Sequence, residues 1–403
     1  MDMILLNGIS FSLFNLINNL DTNKYDVTFF SNGSMDIAAP YLKGFPKDIR
    51  VLLRIGANPV NPETDARKVY CIDKAIIQED NNPIFPTEFY QMEYNRCFGD
   101  AKFDCIINFS GFSAFYANMY YSRKSCRQLI WMHNVMQSEY KRVSDGKFVF
   151  KEKLNCIYKL YKYLDKYVSC SKTTMLENRR DLATDETYDR FTYAKNLINA
   201  QRVLDGRDNK SIVEFNGREY IYVSDTESET IIPKPNDSGL CFVTVGRLAY
   251  GKNHDSLIRA FAKFSNDNPD AMLYIIGDGP LKSQLRKLIS SLKLTDKVIL
   301  TGNLTNPFAV MDNCDCFILP STYEGQPMVI LEARILGLPI IVSNFATVKD
   351  SMYENGQLVI GMETEDIYEA LVKFKNGQVP NEFKFDYKRY NEEAIAEFES
   401  CLE

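Results

Sequence analysis

Histidine is nearly absent from this chain: His133 and His254 are the only two among 403 residues. The ten cysteines are scattered and no C-x-x-C pair occurs, so a structural Cys/His zinc site is disfavoured. Several cysteines sit in apolar runs such as Cys105-Ile106-Ile107 and Cys314-Asp315-Cys316-Phe317. There a free thiol behaves as a small buried hydrophobe, and a reducing compartment keeps it so. No stretch approaches the roughly 20 uninterrupted apolar residues that span a bilayer. The start, Met1-Asp2-Met3-Ile4-Leu5-Leu6-Asn7-Gly8, lacks the basic leader and small-residue cleavage site of a secretory signal. An excess of positive charge is missing as well. With 47 Lys and Arg against 53 Asp and Glu, the net charge of −6 offers no long-range field to nucleic acid. These absences predict a soluble, cytoplasmic protein whose main partner is not nucleic acid.

What is present is 45% apolar content over a length that suits two domains of the usual size, about 100–200 residues each. In the second half, short apolar runs alternate with helical patterns. Strands are expected at 241–245, 272–276, 298–300, 316–319 and 340–342, with helices at 256–264, 280–290 and 328–336. Fully apolar strands separated by helices mean a parallel sheet covered on both faces. The first half repeats this grammar less cleanly, with strands at 27–30, 51–53, 105–108, 129–132 and 167–170, and helices at 10–19, 87–98, 151–164 and 173–180. Between the halves the character changes. Asn216-Gly217 between alternating flanks signals a hairpin, and Pro233-Lys234-Pro235-Asn236-Asp237 signals a stiff linker. The expected division is an N-terminal α/β domain over 1–200, a linker with a hairpin insertion over 201–238, a C-terminal α/β domain over 239–385, and a final helix over 386–403.

Four strand-end loops of the second half carry candidate chemistry. Val245-Gly246-Arg247-Leu248-Ala249-Tyr250-Gly251-Lys252-Asn253-His254 runs from a strand through a glycine-punctuated loop into a helix. Such a loop suits an anion, with Arg247 offering a planar fork and Lys252 a point charge, although a solvated turn with two surface bases would read the same. In Ile276-Gly277-Asp278-Gly279-Pro280 the glycines would let a ligand approach the backbone, and Asp278 could cap the next helix. Thr301-Gly302-Asn303-Leu304 is a third strand-end turn, indistinct by itself. The fourth loop, Ser321-Thr322-Tyr323-Glu324-Gly325-Gln326-Pro327-Met328-Val329-Ile330-Leu331-Glu332-Ala333, spaces two carboxylates eight residues apart, so both can face one cleft. Glu332 lies in an apolar run where an unpartnered charge is costly; a ligand hydroxyl would serve it.

With those residues in view, the segment from Cys241 to Val342 resembles the nucleotide-binding domain of the large retaining glycosyltransferase family numbered four. Its Glu-x7-Glu motif matches Glu324 and Glu332, and its GR…K motif matches Arg247 and Lys252. The resemblance implies an α/β GT-B fold, two doubly wound Rossmann-like domains facing a central cleft. It implies that Arg247 and Lys252 hold the donor diphosphate and that Glu332 binds ribose hydroxyls. Glu324 would touch the transferred sugar, helped by the backbone of Gly325, Gln326, Pro327 and Met328; Val329 and Gly277 are further candidates for binding the donor, and the base would be read by backbone around Leu304. Asn7-Gly8-Ile9-Ser10 resembles the family's glycine loop, where Gly8 would approach the diphosphate or acceptor. Trp131-Met132-His133-Asn134 places His133 past a strand end, resembling the family's active-site histidine. His254, at a helix start, reads as a cap or surface residue. The segment 387–402 resembles the terminal helix that returns to the N-terminal domain.

The finer pattern is similar to bacterial enzymes that glycosylate teichoic acids or related cell-wall polymers. The expected donor is a nucleotide-sugar, a UDP-sugar first, with no cofactor or metal required. The acceptor is a polymer or glycolipid, and the enzyme sits on the inner face of the cell membrane at most peripherally. The Lys/Tyr/Leu pattern of 151–164 fits either an anionic surface or an amphipathic helix packed inward. Two departures from the family stand out. Only six residues precede Asn7, so either Met3–Leu6 is a stub of the first strand or the chain is a piece of something longer, the second being favoured. Asn344–Asp350 replaces the family's Gly-Gly-x-x-Glu stretch. The alternative to an enzyme is a non-catalytic GT-B subunit that binds an acceptor or a partner transferase.

Overall fold

Period-two alternation along the strands decides the architecture of each half. The computed structural model describes residues 8–32, 45–54, 56, 61–123, 126–144, 146–224, 229–235, 239–353, 355–381 and 384–403. The candidate strand stub Met3–Leu6 and the linker end Asn236-Asp237 lie outside the described residues. The chain divides into two units, Met1–Leu197 with Tyr390–Glu403, and Ile198–Arg389.

In the first unit, strands β1 (Thr28–Asn32) and β2 (Arg50–Arg54) pair in parallel. A second parallel sheet has the order β3 (Cys105–Asn108), β4 (Arg127–Met132), β7 (Lys166–Ser169) and β8 (Phe191–Tyr193), while β5 (Val143–Ser144) and β6 (Lys147–Phe148) form a small antiparallel ribbon. Along β4, Leu129 and Trp131 point into one core and Ile130 and Met132 into the other, so helices must cover both faces. One face takes Leu13, Phe14 and Ile17 of the Gly8–Asn19 helix together with Ala394, Phe398 and Cys401 of the terminal helix Tyr387–Leu402. That terminal helix is tied down by the Tyr390 hydroxyl donating to the Asn196 carbonyl at 3.0 Å and by Glu397 accepting from the Lys195 N–H at 2.9 Å. The other face takes Leu154, Ile157 and Leu160 of the Lys151–Tyr161 helix. The Leu/Tyr side of that helix is therefore packed inward, leaving Lys153, Lys159 and Lys162 exposed, and its apolar face is not open to a membrane.

Helices Pro62–Asp73 and Ala114–Tyr121 are absent from the sequence expectation for opposite reasons. The first is largely polar, burying only Cys71, and the second is too uniformly apolar to show a period.

A buried charge cluster locks this unit. Glu93 is wholly buried and accepts from Arg54 Nε at 2.9 Å and Arg96 Nη2 at 3.0 Å. Burial alone would raise its carboxyl, but the bonds from Arg96 and Arg54 win and hold it below the usual range. Replacing Glu93 with Leu strands Arg54 in the core, so destabilisation of about 3 kcal/mol or more is expected at neutral pH. Because the folded-state pKa is depressed, the stabilisation is present above the unfolded carboxyl's pKa, about 4.3, and fades as pH falls through the folded value. The gap between wild type and E93L should therefore close in acid. The single tryptophan, Trp131, lies in this unit's core and makes urea melts specific to it.

The second unit is a six-stranded parallel sheet of order β14-β13-β12-β15-β16-β17, from β12 (Cys241–Val245), β13 (Met272–Ile276), β14 (Val298–Gly302), β15 (Cys316–Leu319), β16 (Ile340–Ser343) and β17 (Leu358–Ile360). Alternation again sorts the side chains. Val243, Tyr274, Phe317 and Val342 enter one core; Phe242, Leu273, Ile318 and Ile341 enter the other, under helices His254–Asn266, Lys282–Ser291 and Thr364–Lys375.

The described residues of 201–238, a range expected as a linker with a hairpin, are built into this second unit. They begin within the helix Ala200–Asp208 and continue as a three-stranded antiparallel sheet, β9 (Ser211–Phe215), β10 (Arg218–Ser224) and β11 (Glu229–Pro233). The Asn216-Gly217 turn is there, both residues at positive φ, 53° and 72°. The reason these residues are no free linker is apolar burial: Val203, Ile221, Val223 and Ile232 join the core beneath β12 and β13.

Candidate functional site

The strand order places β12 between β13 and β15, so successive connections leave it in opposite directions. Loops at the carboxyl ends of β12 and β15 then border a crevice at this topological switch point. The Thr322 N–H donates to the Gly251 carbonyl at 2.9 Å, laying the two loops side by side. Across them, Lys252 Nζ donates to Glu324 Oε1 at 2.5 Å, and the Ser321 hydroxyl donates to the same oxygen at 2.7 Å. The Thr347 hydroxyl holds the Glu324 carbonyl at 2.6 Å. Glu324 is thus fixed through side chain and backbone. Arg247, five residues before Lys252 in the same loop, is exposed and has no ion pair among the described residues.

The neighbouring loops are laced by backbone. Gly246 N–H donates to Ile276 O at 2.9 Å, Leu248 N–H to Asp278 O at 3.0 Å, and Gly277 N–H to Gly302 O at 2.9 Å. Gly277, at φ 141°, has the Gly246 carbonyl only 2.1 Å from where a Cβ would stand. The Cβ position of Gly277 is therefore taken by the adjacent loop. The helix after it starts at Lys282 and not Pro280. Asp278 accepts from Lys282 Nζ at 2.5 Å and from the Gly279 N–H at 2.7 Å, bonds that hold its carboxyl below the ordinary range. Leu304 packs its half-buried side chain on the sheet's core, so only its backbone is left for a ligand.

The helix Met328–Ile335 begins after Pro327, where the Ile330 N–H turns back to the Pro327 carbonyl at 3.1 Å. The N–H groups of Met328 and Val329 have no partner within the helix. Gly325 and Pro327 are buried and Gln326 half-buried in the turn that leads to it. Glu332, on the second turn, has its side chain 14% exposed, with Arg202 Nη1 at 3.6 Å. Burial pushes its carboxyl up, and the Arg202 charge pulls it partly back.

In the first unit, His133 follows β4 and is buried. Its Nε2 donates to the Phe109 carbonyl at 2.7 Å, which leaves Nδ1 as an acceptor. Burial lowers its pKa to about 4, so the ring is neutral at physiological pH. Gly8 opens the Gly8–Asn19 helix, exposed and with open space at its Cα. His254 is corrected: it is buried in its helix's first turn, and burial together with Lys252 lowers its pKa to about 4. The first helical turn folds it inward after Asn253, which takes the left-handed conformation at φ 55°.

Sequence reasoning missed Ser321, Thr347 and Arg202. Ser321 has a local signal, a hydroxyl three residues before Glu324. Thr347 and Arg202 reach the site only through tertiary packing, and no spacing announces them.

The second unit is thus a doubly wound α/β sheet of the kind found in the GT-B fold, with Lys252 and Glu324 paired at its switch point. Residues 225–393 match the family profile described as "Glycosyl transferases group 1". The whole fold agrees. The Anabaena protein HepE in complex with UDP and glucose superposes with a TM-score of 0.67 at 14% identity, covering 99% of this chain and 98% of that one. A Staphylococcus aureus TarM mutant in complex with Fondaparinux, alpha-GlcNAc-glycerol and UDP gives 0.58 at 14% identity, over 78% of this chain and 58% of that one.

In sequence, an uncharacterized glycosyltransferase of Methanocaldococcus jannaschii is 40% identical over 106 residues, 26% of each chain. The N-acetylgalactosamine-N,N'-diacetylbacillosaminyl-diphospho-undecaprenol 4-alpha-N-acetylgalactosaminyltransferase of Campylobacter jejuni is 32% identical over 124 residues, 31% of this chain and 33% of that one. The UDP-Gal:alpha-D-GlcNAc-diphosphoundecaprenol alpha-1,3-galactosyltransferase of Escherichia coli is 34% identical over 148 residues, 35% and 38% of the two chains. The matched stretch thus spans between 26% and 38% of these relatives' length.

Proposed function

We propose that the protein transfers a sugar from a nucleoside-diphosphate sugar to a hydroxyl of a lipid-linked glycan or surface polymer, teichoic acid and polysaccharide included, retaining the anomeric configuration. One observation carries this reading: the Lys252–Glu324 pair lies across the switch point, with exposed Arg247 in the same loop as Lys252 and in no ion pair among the described residues. Two cations in the loop at the carboxyl end of β12 suit a diphosphate, and two N–H groups at the start of the Met328–Ile335 helix, after β15, add to the same field.

In the proposed step the bond between the anomeric carbon and the phosphate oxygen breaks, and a bond to the acceptor oxygen forms. The acceptor proton passes to the departing phosphate oxygen, whose charge Arg247 and Lys252 absorb. Glu324 Oε1 already accepts from Lys252 and Ser321, so its carboxylate is a fixed acceptor for a sugar hydroxyl and not a free nucleophile. That favours front-side transfer. On this reading the side-chain cations take the place of a divalent metal. A UDP-sugar donor is favoured because the HepE complex holds UDP and a relative's name carries UDP-Gal. A lipid-linked acceptor is favoured by the diphospho-undecaprenol of two relatives' names, and it would bring the protein to the inner face of the membrane as a peripheral enzyme.

A thermal-shift panel of UDP, GDP, ADP and CDP, with and without EDTA, tests the reading. A ligand at about 100 times its Kd adds about 2.7 kcal/mol. A selective shift, kept in EDTA and lost in Lys252→Ala, is expected. No shift with any of the four would overturn the reading in favour of a non-catalytic subunit.

A further inference from the structure

The hairpin announced by Asn216-Gly217 carries a sheet edge that sugar transfer does not use. β9 (Ser211–Phe215) is the outermost strand of the antiparallel sheet β11-β10-β9, and every one of its residues is exposed. The two-residue turn, with both central residues at positive φ, closes on Phe215 and Arg218 as a hydrogen-bonded pair. Bonded pairs alternate along an antiparallel ladder, so Val213 bonds to Tyr220 and Ser211 to Tyr222. Ile212 and Glu214 therefore turn their N–H and C=O groups to the open side, where none has a partner among the described residues.

Sheet edges are ordinarily blunted by lysine, proline or a bulge. Ser211–Phe215 contains neither residue, and its register with β10 runs without interruption. Its side chains are apolar as well. Ile221, Val223 and Ile232 face the core, so the opposite face of the sheet carries Val213, Phe215, Tyr220, Tyr222 and Ile231. Of these, Phe215 is 67% and Ile231 61% exposed.

We propose that this edge is a homodimer interface, in which β9 pairs antiparallel with β9 of a second copy about a two-fold axis at Val213. Only one register serves. With Val213 opposite itself, Ile212 lies opposite the second copy's Glu214, and every outward N–H and C=O of both strands finds its acceptor or donor. Moving the axis to Glu214 would set like charges face to face. Moving it to Ile212 would call on Lys210, whose N–H is already given to the Asp208 carbonyl. In the Val213 register each Phe215 lies opposite the other copy's Ser211. That small side chain leaves the ring room to reach Tyr222, the next residue in the same row, so the apolar face of one copy continues into the other. Glu214 has the second copy's Lys210 on one diagonal and its Glu214 on the other, and no like charges stand directly opposite. So short a contact gives a reversible dimer in the micromolar range.

Light scattering on the full chain after gel filtration, loaded at about 1 to 100 µM, should show a monomer passing to a dimer. Ile212→Pro removes an outward N–H where an edge strand tolerates proline, so it should keep the wild-type circular dichroism and stay monomeric. Val213→Glu and Val213→Lys each put like charges across the axis. Either alone should weaken dimerisation at least tenfold, and an equal mixture of the two should restore it as a mixed dimer. Val213→Cys should link into a covalent dimer under oxidised glutathione, because a non-bonded antiparallel pair holds its Cα atoms about 4.5 Å apart, within disulfide range. Ser211→Cys, out of register with its own copy, should not link, and neither should the wild-type chain. A wild type still monomeric at about 100 µM would overturn the proposal. So would a dimer that Val213→Glu and Ile212→Pro leave intact, a charge-swapped mixture that stays monomeric, or open-ended oligomers, which pair edges without the two-fold. A monomer that instead co-sediments with phosphatidylglycerol vesicles, and loses that in Phe215→Ser, would make the face a lipid-binding surface and overturn it too.

Discussion

Lys252→Ala should slow sugar transfer by at least 10²–10³, and Arg247→Ala by a similar factor, because each removes a preorganised cation from where charge develops on the leaving diphosphate. The two variants should differ in how they fail. Arg247 is exposed and unpaired among the described residues, so its loss leaves the loops as they are and the melting temperature unchanged. Lys252 neutralises Glu324 at 2.5 Å. Deleting it strands a carboxylate, 14% exposed, facing the position proposed for the phosphates, and adds repulsion to the lost attraction. Nucleotide binding should therefore weaken more in Lys252→Ala than in Arg247→Ala, and Lys252→Ala with Glu324→Gln should regain part of the binding but not the turnover. Steady-state release of nucleoside diphosphate from the donor, paired with calorimetry, reads both quantities. Near-normal turnover in both single variants would remove this loop pair from the active site.

Gly277→Ala is expected to lower stability by roughly 3 kcal/mol or more and to abolish any nucleotide-dependent thermal shift. Two costs add. At φ 141° a side chain is strained whatever the space, and here the Cβ would stand 2.1 Å from the Gly246 carbonyl. Neither atom can swing aside, since Gly246 N–H is bonded to Ile276 O and Gly277 N–H to Gly302 O. The loop leaving β12, which carries Arg247 and Lys252, must shift to admit the methyl. Gly8→Ala is the control: that Cα has open space around it and no unusual φ, so its melt should match wild type. A Gly277→Ala melt that also matches would show that the lacing between the loops does not hold them.

The parts legible in the sequence were those whose signal is local. Strands 105–108, 241–245, 272–276 and 316–319 coincide with observed elements because a short, fully apolar run between turns has few other folds open to it. Glu324, Lys252 and Ser321 meet because loops at the ends of β12 and β15 must meet in a doubly wound sheet. What escaped is tertiary. Ala114–Tyr121 is apolar on every side and shows no period, and Leu358–Ile360 is a three-residue edge strand. Residues 201–238 looked like a linker because their buried positions, Val203, Ile221, Val223 and Ile232, are thinly spread among polar ones. Which backbone fills the Cβ position of Gly277 is equally invisible in the sequence. Arg202 lies 130 positions before Glu332, and no spacing rule links them.

The route of the chain has a kinetic consequence. Residues 198–389 form one unit inserted between the two parts of the other, and Ala394, Phe398 and Cys401 pack with Trp131 and Val168. During synthesis the inserted unit has all its residues once position 389 has left the ribosome, whereas its host lacks part of its hydrophobic filling until the last helix appears. At about 5–20 residues per second the host waits some ten seconds or more after its first 197 residues are made, with the face beside Trp131 uncovered. Chaperone engagement and aggregation during expression should accordingly centre on that face, and maturation should be timed by the emergence of the Tyr387–Leu402 helix.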